Sequence, residues 1–176
     1  MVYNSNKVEQ FDISWFEEPL SPEYYEQYAE LRKNTIIPIA GGECEYLRFG
    51  FLQLLKSKSL DILQPDICSC GGITEAKRIA ALATSYGIPI VPHTWGSGIG
   101  IHVALQFIAN LESIPGRLIE APFLLEYDQT ENRIRDYLTI PKIEIKEGEI
   151  KIPNNPSLER SKTFNNIIIV LKIQQY

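Results

Sequence analysis

Five apolar runs recur along this chain at nearly even intervals. Each closes on a polar residue able to bind a metal ion or move a proton. They are DISWFE ending at Glu17, TIIPIAGGE at Glu43, LDILQPD at Asp66, IPIVPH at His93 and RLIE at Glu120, with successive ends 23 to 27 residues apart. Between them lie PEYYEQYAELRK, YLRFGFLQLLKSK, ITEAKRIAALATSYG and GIHVALQFIANLE, which read as helices; in the second, Leu47, Phe51, Leu54 and Leu55 share a face. This alternation predicts an α/β fold with a parallel sheet. An ordinary sheet has no reason to end strand after strand on such residues. A barrel of parallel strands does, because its site gathers at the C-terminal strand ends. A closed barrel takes eight strand–helix units in roughly 250 residues. This chain of 176 residues carries four units and a fifth strand. Residues 1–138 therefore read as the C-terminal half of a (β/α)8 barrel, with open edges that a second copy, a companion chain carrying the first half, or a rearrangement would cover.

Local signals set the expected boundaries. Ser21 and Pro22 look like a cap followed by proline in the first helical turn, Thr74 like another cap, and Gly87 like a stop. Pro38 inside the second apolar run points to a bulge or a weak strand. PFLLEYDQTENRIRDYLTIP reads as an irregular connection. Residues 139–176 form a second segment. In it, KIEIKEGEIKIP alternates around Glu147-Gly148, as a hairpin with a two-residue turn does. The apolar run Ile167–Ile173 closes the segment and would be sticky if exposed.

The formal net charge of −5 argues against nucleic acid and anionic membrane as partners. No apolar stretch approaches the roughly 20 residues that span a bilayer. MVYNSNKVEQ lacks the regions of a secretory signal, and three cysteines, Cys44, Cys68 and Cys70, suit a reducing cytoplasm better than a disulfide scaffold. Without paired C-x-x-C knuckles they read as buried or half-buried thiols rather than zinc ligands.

The strand-end residues carry specific chemistry. Glu17 and Glu43 on adjacent strands suit a hard divalent cation such as Mg²⁺, which takes few carboxylates and completes its shell with water and substrate oxygens. Neighbours on a strand face opposite ways, so Glu18 is expected to point outward or to make a structural ion pair. Gly41-Gly42 would let the backbone approach a ligand. Asp66 and His93 on consecutive strands can share a proton, the carboxylate fixing the imidazole tautomer. His102 lies in an apolar helix and reads as structural.

WFEEP, GGE, LQPDICSCGGITEA, VPHTWGSG and LIEAP, in that order, resemble the mandelate racemase and muconate lactonizing enzyme branch of the enolase superfamily over about Phe11 to Pro156. The resemblance implies a modified TIM barrel with a capping domain to which a C-terminal segment contributes. It also implies removal of the proton α to a carboxylate, with Mg²⁺ stabilising the enediolate. It assigns Glu17 and Glu43 as metal ligands, His93 as the base, Asp66 as its dyad partner and Glu120 as the acid that hydrogen-bonds the substrate carboxylate. Relatives with LQPDI…GGITE and PH-x-W-G are mostly acid-sugar dehydratases, so a sugar acid is the expected substrate and loss of water the expected outcome. Branches that use a lysine on the Asp66 strand find none in QPDICSCGG.

The family's first metal ligand, an aspartate on an earlier strand, has no counterpart here, nor do its lysine-bearing strand and N-terminal cap. NPSLERS stands where relatives carry a glycine-rich segment. Little or no activity is therefore expected of this polypeptide alone. The competing expectations are a non-catalytic, self-associating remnant of a split gene, or a racemase or epimerase of the same superfamily.

Overall fold

The structure is a computed structural model that describes residues 7–114, 122–137, 143–152 and 167–172. It divides into two compact units, Met1–Ile90 and Val91–Tyr176. No helix among the described residues is long and apolar enough to cross a membrane.

In unit 1, β1 (Phe16–Glu17), β2 (Ile39–Gly41) and β3 (Ile62–Leu63) form a parallel sheet in sequence order, with Phe16 opposite Ile39 and Ala40 opposite Ile62. Helices α1 (Tyr25–Lys33), α2 (Leu47–Ser57) and α3 (Gly72–Ser85) follow the three strands in turn. The strands are short and fully apolar at the centre: Ile39, Ala40 and Leu63 are buried, as a parallel sheet covered by helices requires. Phe51, Leu54 and Leu55 form the buried stripe of α2. Leu47, expected on that stripe, is exposed instead. It opens the helix in a left-handed conformation (φ 56°), its N–H donating to the Cys70 carbonyl.

Two helix starts differ from the sequence expectation. Ser21, Pro22 and Glu23 form a turn, closed by the Tyr24 N–H on the Ser21 carbonyl and by a hydroxyl bond from Ser21 to Glu23, and α1 begins only at Tyr25. Helix α3 begins at Gly72 rather than beyond Thr74, which is exposed. The next residue, Glu75, turns inward and accepts from the Arg48 N–H at 3.0 Å, from Arg48 Nη1 and from Arg78 Nη1, tying α2 to α3. At the far end the stop behaves as expected. Gly87 takes φ 70°, and the N–H groups of Gly87 and Ile88 cap the carbonyls of Thr84 and Ala83.

The fourth expected strand, IPIVPH, reduces to a single parallel bridge between Leu63 and Ile90. Pro89 and Pro92 lack the N–H groups that a longer ladder would need. The opposite, N-terminal edge of the sheet is secured by Asp61. Its carboxylate accepts the Ile39 N–H at 3.0 Å and Arg32 Nε at 2.5 Å.

Unit 2 holds α4 (Gly98–Ile108), β4 (Leu124–Asp128), α5 (Arg133–Tyr137), β5 (Ile145–Lys146), β6 (Glu149–Ile150) and β7 (Ile167–Lys172). Ser97 caps α4 by accepting the Gly100 N–H, and Ile101, Ala104, Leu105 and Ile108 are its buried face. The segment expected to be an irregular connection contains β4 and α5. Leu125 is fully buried, and Arg135 locks the turn between the two elements by donating to the carbonyls of Asp128 and Thr130 and to the Asp128 carboxylate. The hairpin forms as the alternation predicts. Ile145 faces Ile150, and Glu147 and Gly148 both take positive φ. The terminal apolar run supplies β7, parallel to β4 and antiparallel to β6, in a sheet ordered β4-β7-β6-β5. It is an interior strand, paired on both sides. The fifth expected barrel strand, RLIE with Glu120, lies outside the described residues.

Candidate functional site

In unit 1 the parallel register brings Glu17, Glu43 and Asp66 to one edge, the C-terminal ends of β1, β2 and β3. All three are half-buried. Glu17 is the last residue of β1, and its Oε2 accepts from Gln64 Nε2 at 3.0 Å and from Trp15 Nε1 at 3.2 Å. Asp66 follows β3. Its Oδ1 accepts the Cys68 N–H at 2.7 Å and its carbonyl accepts the Cys70 N–H at 2.7 Å, which folds the loop into α3.

Glu18 does not point away from this edge. Its backbone takes φ 37° and its N–H continues the pairing to the Ala40 carbonyl, while its Oε1 accepts the Gly42 N–H at 3.2 Å. A Cβ on Gly41 would stand 3.2 Å from Glu18 Cγ, so Gly41 makes room for this side chain. A carboxylate oxygen of Glu18, one of Glu43 and the Cys44 sulfur lie within 4.8 Å of one another. The acid grouped with Glu43 in the described residues is thus Glu18, while Glu17 is held by an amide and an indole.

That arrangement fits a hard cation through its oxygens and not through its sulfur. Partial burial, followed by the Glu18 and Glu43 carboxylates, pushes the Cys44 thiol up. Burial and the Asp66 carboxylate raise Cys68, and raise Cys70 to about 11. Thiols kept protonated are poor ligands. All three cysteines are free thiols; Cys70 is buried as expected, whereas Cys44 and Cys68 are exposed.

In unit 2, His93 is buried and its Nδ1 donates to Glu126 Oε2 at 2.8 Å. The same oxygen accepts the Thr94 N–H at 3.3 Å, and the Thr94 hydroxyl donates to the Glu126 carbonyl. Glu126 is buried on β4. A carboxylate acceptor on Nδ1 leaves Nε2 as the basic nitrogen. His102 is half-buried in α4.

Sequence reasoning did not select Gln64 or Glu126. Gln64 had a signal: it ends the apolar run of β3 two residues before Asp66, and only the last polar residue of that run was chosen. Glu126 had none, because FLLEYD offers no pattern that marks its acid as buried.

Known proteins place this architecture. At 44% identity over 148 residues, the chain is similar to a D-galactarolactone cycloisomerase of Agrobacterium fabrum, covering 84% of this chain and 39% of that protein. It is 32% identical to an arabinonate dehydratase of Saccharolobus solfataricus, covering 86% of this chain and 38% of that one. Among solved structures, the 3,6-anhydro-D-galactonate cycloisomerase of Zobellia galactanivorans superposes with a TM-score of 0.78 at 50% identity, over 88% of this chain and 41% of the other. The chain spans about two fifths of the length of these relatives. The family model described as enolase C-terminal domain-like matches residues 2–158, and on that match the chain belongs to this family within the enolase superfamily.

Proposed function

We propose that this chain carries part of the active site of an acid-sugar enzyme whose reaction begins with removal of the proton α to a carboxylate. The observation that carries this reading is the gathering of Glu17, Glu43 and Asp66 at the C-terminal ends of three adjacent parallel strands. The named activities of the relatives, cycloisomerases and dehydratases of sugar acids, support it. Glu43 with Glu17, and with Glu18 beside it, offers the oxygen donors that Mg²⁺ takes. When bound, the ion would offset the negative charge that grows on the substrate carboxylate.

His93 is the base in this reading. Glu126 holds its Nδ1–H, so Nε2 is the atom that takes the α-proton. The family resemblance implies Asp66 as the dyad partner, a role that would compete with Glu126 for His93 Nδ1, and Glu120 as the acid at the substrate carboxylate. In this reading the part of the family's barrel that these residues do not include completes the site, and these residues by themselves turn over little or no substrate.

After proton removal the electron pair must expel a group from the neighbouring carbon. Loss of a hydroxyl makes a dehydratase, the outcome the motifs favour. Loss of a ring oxygen makes a cycloisomerase, the activity named for the relatives at 44% and 50% identity. Mass spectrometry separates the two, since a dehydration product is lighter by one water and a cycloisomerisation product is not.

The test begins with the cation. Titration of the purified chain with Mn²⁺, read by electron paramagnetic resonance, should show saturable binding that Mg²⁺ competes away. Glu43→Gln should weaken it about tenfold, the effect of losing roughly 1.4 kcal/mol of interaction. A chain that takes up no Mn²⁺, or one in which Glu43→Gln changes nothing, would overturn the reading. Incubation of the chain alone with Mg²⁺ and a panel of aldonates, aldarates and their lactones in D₂O should give little or no α-deuterium incorporation, and robust turnover would overturn the expectation that these residues are inactive by themselves.

A further inference from the structure

Gln64 directly follows β3 and is 1% exposed. Its Nε2 donates to Glu17 Oε2, and its Oε1 is, among the described residues, a buried side-chain oxygen without a hydrogen-bond partner. The chemistry of the bond decides which way the amide faces. A carboxylate accepts and cannot donate, so only the NH₂ end can meet Glu17, and a flipped amide would set oxygen against oxygen. The orphaned oxygen is therefore a consequence of holding Glu17. Buried carbonyl oxygens without donors are rare, and each asks for a reason.

A purely structural part does not supply that reason. An apolar side chain of the same length, such as methionine, would fill the space and strand no oxygen. The Trp15 indole already donates to Glu17 Oε2 at 3.2 Å, so the amide is a second donor to one oxygen. Trp15 directly precedes β1 and Gln64 directly follows β3, the strands on either side of β2 in the sheet. The pair fixes where the Glu17 carboxylate stands and leaves a hard, neutral acceptor beside it.

We propose that Gln64 is a positioning residue for Glu17, and that its Oε1 is the acceptor for one O–H group brought to the strand ends. A hydroxyl of an acid sugar and a water on a divalent cation both supply that donor. The O–H half of the proposal rests on the function proposed above; the positioning half does not.

The experiment uses the full chain labelled with ¹⁵N and follows the Trp15 indole N–H and the Gln64 amide resonances, with Trp95→Phe to assign the indoles. Without any additive, Gln64→Glu keeps Oε1 and the size of the side chain but sets a second acceptor against Glu17. It should move the Trp15 indole resonance. Three additions to the wild-type chain, Mg²⁺ alone, sodium D-galactonate alone, and both, then show which source of O–H shifts the Gln64 amide. Gln64→Met should weaken binding in that arm about tenfold with an unchanged circular dichroism spectrum.

An unmoved Trp15 resonance in Gln64→Glu overturns the positioning role. A Gln64 amide that stays fixed in all three arms, in a chain that binds Mn²⁺, overturns the acceptor role and leaves the proposed function standing. A chain that binds neither cation nor sugar acid while Gln64→Glu still moves Trp15 sinks the acceptor role together with that function, and upholds the positioning role.

Discussion

Unit 1 pairs its strands in the order in which the chain makes them, whereas unit 2 inserts β7, Ile167–Lys172, between β4 and β6. In the first, each strand finds its partner one helix later. In the second, β4 pairs with a strand some forty residues on, and the hairpin joins the sheet through the same late strand. Non-local pairing of this kind closes a long loop before any contact rewards it. The chemical groups differ in parallel. The strand-end acids Glu17, Glu18 and Asp66 of unit 1 sit half-buried on the edge of a locally built sheet, held by amide, indole and backbone donors. On β4 of unit 2 the Glu126 carboxylate is buried, and His93 and Thr94 donate to it.

The largest effect should come from removing residues 153–176. Without β7, unit 2 should lose hydrogen-exchange protection at the amides of β4 and with it the His93–Glu126 bond, while the amides of β2 in unit 1 stay protected. Equal loss in both units would break the comparison. Single core truncations probe the same contrast more gently. Phe51→Ala in unit 1 should cost about 3–5 kcal/mol and Leu125→Ala in unit 2 about 2–5 kcal/mol, read from urea denaturation, since both side chains are fully buried.

Next in size is the buried pair. Glu126→Leu removes the acceptor from His93 Nδ1, and about 1–3 kcal/mol of stability should go with it. Long-range ¹H–¹⁵N spectra should show the His93 ring losing its fixed Nδ1–H tautomer, with His102 as the internal reference. Asp66→Asn, made in parallel, measures how far the dyad implied by the family resemblance contributes. A His93 tautomer that follows Asp66 and ignores Glu126 would overturn the role given to Glu126.

The smallest effect concerns acid. Glu75 is held below its usual value of 4.5, first by the Arg48 backbone N–H and then by the Arg78 and Arg48 side chains. A carboxyl lowered in the folded state lends stability that is complete above its unfolded value and is lost as pH falls through the folded one. Unit 1 should therefore weaken progressively below about pH 4.5. Glu75→Gln should flatten that slope, measured as urea midpoints across the acid range. An unchanged slope would remove Glu75 from the account.

The strand-end rule located Glu17, Glu43 and Asp66 because a polar residue closing an apolar run is a local pattern, and unit 1 is built from local patterns. Gly87 and the Glu147-Gly148 turn were legible for the same reason, since positive φ is written into residue type. The rule overreached at IPIVPH, where the two prolines that leave only a bridge were visible but their cost to the ladder was not weighed. It failed at FLLEYD and at Ile167–Lys172, where each segment becomes a strand by pairing with the other.

The amino-acid order alone determined the alternation of strands and helices, the edge on which the acids of unit 1 gather and the scarcity of histidine that singles out His93, because periodicity and residue chemistry act over a few neighbours. Only the tertiary structure decided that Glu18 turns back beneath Gly42, that Gln64 holds Glu17 at the expense of its own oxygen, and that Glu126 takes His93. Those outcomes depend on which donor meets which acceptor, a competition among residues from twenty-four to forty-seven positions apart that no local pattern records.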